Sequence, residues 1–425
     1  MAIPSIAMIP SGYKAGKLYS VLPTNGNADL DVVRNSTANR INKDGLIESM
    51  AVNVPLLDYS DSTCPSLLLQ PQSTNLITYP LSFGNSYWYK SGASIEVQGF
   101  ASPSVDYPTS AFKLVEDTSN SQHAIWSSSS VSVVANTYLT FSAYVKKVDR
   151  KYVAVSIAHN STNGTVAQFD LDTQSLVYSG DVGTIYTYVS GGIETIGNDW
   201  YKLSIVLQTT LTSIQPAIAL SDDIFTSPSI LNSANYTGDG TSGVYIFGAQ
   251  LEQLSYPTSL MLPAVEGSTT TRLKDEVSKS GLSADINSAE GTLFVEMSAL
   301  ALTATNRRIS LTDVAITDFV YIYFSSTNTL SARVQAGGLQ EYQYDFAVDI
   351  TQLNKVALKW KVNDFAFYVN GVKVNSQLSG NVPSANDLVS LNFEAYGSSN
   401  MEGNVNDLQV FKTALSDTKL AELTS

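Results

Sequence analysis

The clearest pattern along the chain is strict alternation of apolar and polar positions in short runs bounded by turn residues. In Tyr138–Val145, Leu139, Phe141, Ala143 and Val145 share one face. In Lys151–Ala158, Val153, Val155 and Ile157 do the same, and Asn198-Asp199 leads into another such run, Trp200–Leu207. Gly243–Glu252 is the densest β-forming run. Tyr245, Phe247, Ala249 and Leu251 fall on one face and Val244 and Ile246 on the other, which predicts a strand covered on both sides. Further on, Val356, Leu358, Trp360 and Val362 line one face opposite two lysines, and Asn370-Gly371 marks a tight hairpin. Only Leu415–Leu423 suits a helix, capped at Ser416. Many short strands at close spacing predict an all-β chain built from two β-sandwich domains of jelly-roll type.

The punctuation of these runs suggests four parts. Residues 1–76 are irregular, with Gly12, Gly16, Pro23, Gly26 and Pro55 between short strand-like pieces, and are expected to form an attachment segment. Lys17–Leu22 and Leu30–Val33 are placed to pair through Asn25-Gly26, and Asp44-Gly45 forms a second turn. Residues 77–263 form the first sandwich, 264–290 a polar linker, and 291–425 the second sandwich.

Composition narrows the function. The formal net charge is −14 with no basic cluster to offset it, so phosphate would repel the chain and nucleic acid is not an expected partner. No run of apolar residues is long enough to span a membrane. The single cysteine, Cys64, permits no internal disulfide and fits folding in a reducing cytosol; beside Pro65 it is expected to be a buried thiol.

Two stretches carry a resemblance. Arg34–Glu48 (RNSTANRINKDGLIE) and Leu67–Leu76 (LLLQPQSTNL) resemble a recurrent N-terminal pattern of structural proteins of tailed bacteriophages. There it precedes a carbohydrate-binding-module-like β-sandwich and often a concanavalin A-like domain. The order of Phe141–Lys146, Trp200–Leu207 and Val244–Glu252 is similar to the former, and Asn363–Val374 with Asn406–Leu420 is similar to the concanavalin A-like (laminin-G-like) fold. The resemblance implies a virion protein made in the host bacterial cytoplasm. It would be a head or tail fibre, spike or decoration subunit attached by its N-terminus to other virion proteins, forming a homotrimer and presenting lectin-like domains to cell-surface glycan. The alternatives are a purely architectural tail, neck or capsid component and a polysaccharide depolymerase.

Residues for catalysis are scarce. Neither His123 nor His159 is marked as part of a triad, and both fit surface or turn positions. Glycosidases need two carboxylates at a defined separation. The Glu-x-Asp-x-Glu and Glu-x-Asp-x-x-Glu spacings that hydrolases of the concanavalin A-like fold use are absent from 291–425, so no enzyme is expected. Asp222, Asp223 and Asp239 fit solvated turns better than a Ca²⁺ loop, and no metal or cofactor is expected. The Asn-x-Ser/Thr patterns at Asn35, Asn160, Asn163 and Asn235 are chance matches in a Ser/Thr-rich chain. Sugar binding needs exposed aromatic faces near polar groups. Trp88, Tyr89 and Trp126, in loop-edge segments, are the candidate carbohydrate-binding residues, whereas Trp200 and Trp360 are expected in the core.

Overall fold

A computed structural model describes residues 3–160, 163–226, 235–394 and 399–425. The chain divides into two compact units, one of residues 1–37, 50–72 and 273–425, the other of 38–49 and 73–272. Both are β-sandwiches, and the sole helix among the described residues is Asp417–Thr424.

The division corrects the expected boundaries. Residues 1–76 are not a separate arm. Ile6–Met8 pairs with Gly403–Phe411, Leu30–Val33 pairs with Glu276–Ser280, and Ser66–Leu69 pairs with Gly403–Phe411. Ile6, Met8, Leu18, Leu30, Leu67 and Leu69 lie in the same core as Leu293, Leu358 and Trp360. The physical reason is that a stretch with several apolar strands must bury them, and the C-terminal sheets supply the apolar faces. Nor is 264–290 a linker: Thr270–Arg272 and Glu276–Ser280 are strands, and Leu282 and Ile286 are core residues.

The first unit packs two antiparallel sheets over that core. One runs Val372–Gln377, Phe365–Val369, Asn354–Lys361, Glu290–Ala299, Gly403–Phe411, Ser66–Leu69, Leu57–Asp58. The other carries Arg307–Thr312, Phe319–Phe324, Leu330–Ala336 and Leu339–Phe346 in succession. Asn370 and Gly371, at φ 49° and 82°, close the expected hairpin. The terminal helix forms as expected, with Ser416 Oγ accepting from Lys419 N. Its Leu420 packs with Phe294, Tyr368 and Phe411 on the outward side of the first sheet.

The second unit also has two sheets. The first runs Trp88–Ser91, Asn120–Ser127, Pro216–Ser221, Tyr152–Asn160, Asn163–Asp170, Ser175–Val182. The second contains Tyr138–Lys147 between Gly243–Glu252 and Trp200–Thr209. Leu139, Phe141, Ala143, Val145, Val153, Val155 and Ile157 all face the shared core, as the alternation predicts. Gly243–Glu252 does not keep one alternation throughout. The register with Tyr138–Lys147 shifts between Ser142 and Tyr144, and Gly248 sits there at φ 59°. This bulge turns Ala249 and Leu251 to the face of Val244 and Ile246, leaving Tyr245 and Phe247 on the other. A Cβ at Gly248 would approach Leu260 Cδ2 to 3.0 Å. The outer cluster around Phe247 includes Ile47 and Trp200, so the hairpin 38–49 covers this sheet. Trp200 and Trp360 are buried as expected.

Candidate functional site: an aromatic pair and an acidic cleft

In the second unit, Tyr89 and Trp126 stand opposite each other on antiparallel strands, Trp88–Ser91 at the sheet edge and Asn120–Ser127 beside it. Both side chains therefore point to the same face, away from the shared core. Their ring centroids are 4.9 Å apart and inclined by 38°. Tyr89 is 53% exposed and Trp126 half-buried.

Across the sheet from Trp126 come Ala217 and then Ser156, followed by Val166. The next row is Ala124, Ala219, Ala154 and Gln168. Small side chains thus form the floor between Trp126 at one side and Tyr178 and Phe225 at the other. Gln168 fixes the far wall, accepting from Phe225 N at 2.8 Å and donating to the Asp223 carbonyl at 2.8 Å. Ser156 Oγ is buried in the floor and has no hydrogen-bond partner.

The three aromatic candidates separate here. Tyr89 and Trp126 are brought together, but Trp88, next in sequence, points the other way. It is 1% exposed, its Nε1 donates to the Tyr79 carbonyl at 3.0 Å, and its ring packs 5.1 Å from Phe83. Alternation in a strand sends neighbours to opposite faces, so Trp88 and Tyr89 cannot both serve one surface. Trp88 is a core residue and offers no face to a sugar ring. Trp126 lies within a regular strand rather than a loop edge.

The histidine and cysteine expectations also change. His123 is fully buried within a strand, its ring 4.3 Å from that of Tyr236 and inclined by 55°, with Nε2 3.0 Å from the Tyr236 carbonyl. The side chain of His159 lies outside the described residues. Cys64 is exposed. Asp239 takes part in a turn, accepting from Thr241 N and Ser242 N at 2.7 Å each. Among the described residues no three His, Cys, Asp or Glu side chains converge as a metal-ligand set.

The second unit also holds a buried charged network. Glu116 accepts from Arg150 Nε at 2.7 Å, Tyr236 Oη at 2.6 Å and Asp239 N at 2.8 Å. Burial alone would raise the Glu116 carboxyl pKa, but these hydrogen bonds and the Arg150 charge hold it below the ordinary value. The network pins the strand Asn235–Thr237 through Tyr236, so it reads as structural.

In the first unit, a cleft of about 850 Å³ is lined among others by Asp58, Asp61, Cys64, Glu296, Asn404 and Asp407. Glu296 and Asp407 face each other on adjacent strands. Burial, and then the Glu296 charge, raise the Asp407 pKa; its Oδ2 accepts from Gln409 Nε2 at 2.7 Å while Oδ1 is buried without a partner. Burial and the Asp58 charge raise Asp61 likewise. No local motif announces this cleft, because Glu296 and Asp407 meet only through strand register.

Compared with known proteins, residues 281–421 match the concanavalin A-like lectin/glucanases superfamily. This match lies within the first unit, which carries the concanavalin A-like fold. No curated protein matches the chain. Among solved structures, the chain is similar to the Ruminococcus gnavus IT-sialidase CBM40 bound to α2,3-sialyllactose, with 18% identity and a TM-score of 0.29, over 32% of this chain and 84% of that one. It is also similar to domain 4 of AbnA, a GH43 extracellular arabinanase from Geobacillus stearothermophilus, in complex with arabinotriose: 13% identity, TM-score 0.30, 40% and 82% covered. The binding domain of Paraclostridial mosquitocidal protein 1 is another, at 16% identity and TM-score 0.27, with 37% and 43% covered. Likenesses this low say nothing of what the present chain binds.

Proposed function

We propose that the chain is a glycan-binding structural protein of a tailed-bacteriophage particle and that its lectin-like sandwiches bind without catalysis. The observation that carries the glycan reading is the Tyr89–Trp126 pair, an aromatic surface on a sheet face with one ring 53% exposed. Sugar rings stack on such faces through their C–H groups, and neighbouring hydroxyl and amide groups add direction. The match of residues 281–421 to a lectin/glucanase superfamily agrees with it. The virion setting rests on the sequence patterns at 34–48 and 67–76.

A single platform of this kind binds weakly, and repetition on a symmetric particle would raise its avidity. We therefore propose a closed homotrimer, which repeats the site without leaving an open interface. Mass photometry checks this, with a peak near three times 45.7 kDa expected. For binding, the protein is exposed to an array of bacterial surface polysaccharides. Retention on at least one, weakened in Trp126→Ala, is expected. An array that stays blank across capsular and outer-membrane polysaccharides would remove the glycan reading and leave the architectural one.

A second reading has one specific observation behind it. Glu296 stands opposite Asp407, whose pKa is raised by burial and by its neighbour, and acid–base hydrolysis requires two carboxyls brought to one cleft. A depolymerase would release new reducing ends from polysaccharide, and Glu296→Gln would stop it. The non-catalytic reading expects no release from either protein.

A further inference from the structure

We propose that the outward face of the strand Phe319–Phe324 in the first unit binds a carboxylate-bearing saccharide through Arg333. The site shares no residue with the Tyr89–Trp126 platform; only the choice of a saccharide as the carrier of the carboxylate rests on the glycan reading above.

The strand alternates. Val320, Ile322 and Phe324 join the core, while Phe319, Tyr321 and Tyr323 form a separate cluster on the outward side. Arg308 stands opposite Tyr323 on one neighbouring strand, and Arg333 opposite Tyr321 on the other. The Arg333 guanidinium carbon is 5.4 Å from the Phe319 ring, and that of Arg308 is 5.4 Å from Tyr321 and 5.6 Å from Tyr323. These distances fit cation–π contact. The rings are 0, 2 and 7% exposed, so the half-buried arginines, and not the rings, meet an approaching ligand.

Among the described residues Arg333 has no carboxylate partner, in contrast to three other arginines. Arg34 pairs with Asp275, Arg40 with Glu48, and Arg150 with Glu116. Arg333 instead donates Nη2 to Gln335 Oε1 at 2.8 Å, lies over a ring, and has a buried Nε with no partner. Ring contact and one neutral acceptor leave most of its donor fork unused. A guanidinium desolvated on one side and lacking a carboxylate attracts one, and its planar fork fits a carboxylate in bidentate fashion.

The surroundings favour a sugar as carrier. Gln335 is itself fixed, donating Nε2 to the Thr317 carbonyl at 2.8 Å. Gln343 lies opposite Arg333 on the next strand and is exposed, with Nε2 3.4 Å from Tyr323 Oη. Amides and a phenol around a guanidinium suit a ligand with one carboxylate and several hydroxyls. Asp345, whose Oδ1 is 3.4 Å from Tyr323 Oη, occupies the other end of the face and would repel an anion there. The ligand's carboxylate is thereby directed to Arg333 and its neutral hydroxyls toward Gln343 and Tyr323.

The full chain is titrated calorimetrically with an oligogalacturonate and with a neutral malto-oligosaccharide of equal length, at low and high salt. The acidic ligand is expected to bind more tightly and to weaken with salt. Arg333→Gln should raise its Kd about tenfold. Arg333→Lys, which keeps charge and ring contact but loses the fork, should recover only part of that. In a Trp126→Ala background, where the platform no longer contributes, Arg333→Gln should still produce the same loss, and unaltered melting of each variant confirms its fold. Equal binding of both oligosaccharides, or full recovery in Arg333→Lys, overturns the proposal. Acid binding lost in Trp126→Ala but kept in Arg333→Gln overturns it while sparing the platform. Acid binding that needs Arg333 when neutral glycans bind nowhere supports it and counts against the platform.

Discussion

Arg34 Nη1 lies 2.8 Å from Asp275 Oδ1, and the two side chains are 0 and 2% exposed. The remaining groups of the pair are also satisfied. Arg34 Nη2 donates to the carbonyls of Ala51 and Val54 at 3.0 Å, and Asp275 Oδ2 accepts from Gln70 N at 3.0 Å. One ion pair thus ties together three stretches far apart in the chain. Breaking such a pair leaves an uncompensated buried charge, at a cost of about 3–5 kcal/mol. Asp275→Ala and Arg34→Ala should each lower stability by that order in denaturant unfolding. Replacing both with apolar residues of similar volume should cost much less, because no charge is then stranded.

The same welding predicts the effect of truncation. Removing residues 1–33 takes Ile6, Met8, Leu18, Leu30 and Val32 out of the first core and strips a strand from Gly403–Phe411. Each large aliphatic lost from a core costs roughly 2–5 kcal/mol, and domains hold only about 5–15 kcal/mol in total. The truncated protein should therefore lose the cooperative transition of the first unit while residues 73–272 keep theirs. A fragment of 288–425 should fail to fold alone for the same reason. Circular dichroism melts of both proteins check this, and a sharp transition in the fragment would contradict it.

Local pattern made much of the fold legible. Alternation at Leu139–Val145 and Val153–Ile157, the Asn370-Gly371 turn and the Ser416 cap are short-range signals, and each has its expected structure. What failed to show was long-range. Nothing in the stretch around Leu30–Val33 names Glu276–Ser280 as its partner, so a strand looked like part of an arm. Gly248 breaks an alternation that looks continuous on paper, because a bulge is decided by the partner strand. At the site, Trp88, Tyr89 and Trp126 could be picked out by type, but only a fixed register says that Tyr89 meets Trp126 while Trp88 turns inward. The Glu296–Asp407 and Arg333–Tyr321 juxtapositions arise in the same way and left no local trace.

Trp88 and Trp126 should respond oppositely to truncation. Trp88 fills the core and hydrogen-bonds to Tyr79, so Trp88→Ala should destabilise by about 3–5 kcal/mol. Trp126 is half-buried, and Tyr89 rests against it on the outside. Trp126→Ala and Tyr89→Ala should shift the melting temperature much less and reduce glycan retention instead. A stacking aromatic contributes about 0.5–1.5 kcal/mol beyond its buried area, so the expected loss in affinity is roughly two- to tenfold. Thermal melts and glycan binding on the same preparations separate the two roles.

Acid should act with opposite sign on two strands, Gly403–Phe411 of the first unit and Ala111–Glu116 of the second. Glu116, in the second unit, has a folded pKa held below its ordinary 4.5 by Arg150, Tyr236 and the Asp239 amide, against the effect of burial. A depressed carboxyl stabilises the folded state fully above its unfolded pKa, and that stabilisation is lost as pH falls through the folded value. Asp407, in the first unit, is shifted the other way, raised from 3.8 by burial and by Glu296, and Asp61 is raised from 3.8 by burial and by Asp58. A raised carboxyl favours the folded state when protonated. Its contribution is complete below the unfolded pKa and disappears as pH rises through the folded value. Acidification from neutrality should therefore first raise the amide protection factors, observed exchange relative to the intrinsic rate at each pH, in Gly403–Phe411, and only below about 4.5 should it lower those in Ala111–Glu116. Asp407→Asn should flatten the first response and leave the second, while Glu116→Gln should remove the second and leave the first. If both segments loosened together across the whole range, the opposed shifts of these carboxyls would not be what governs the acid response.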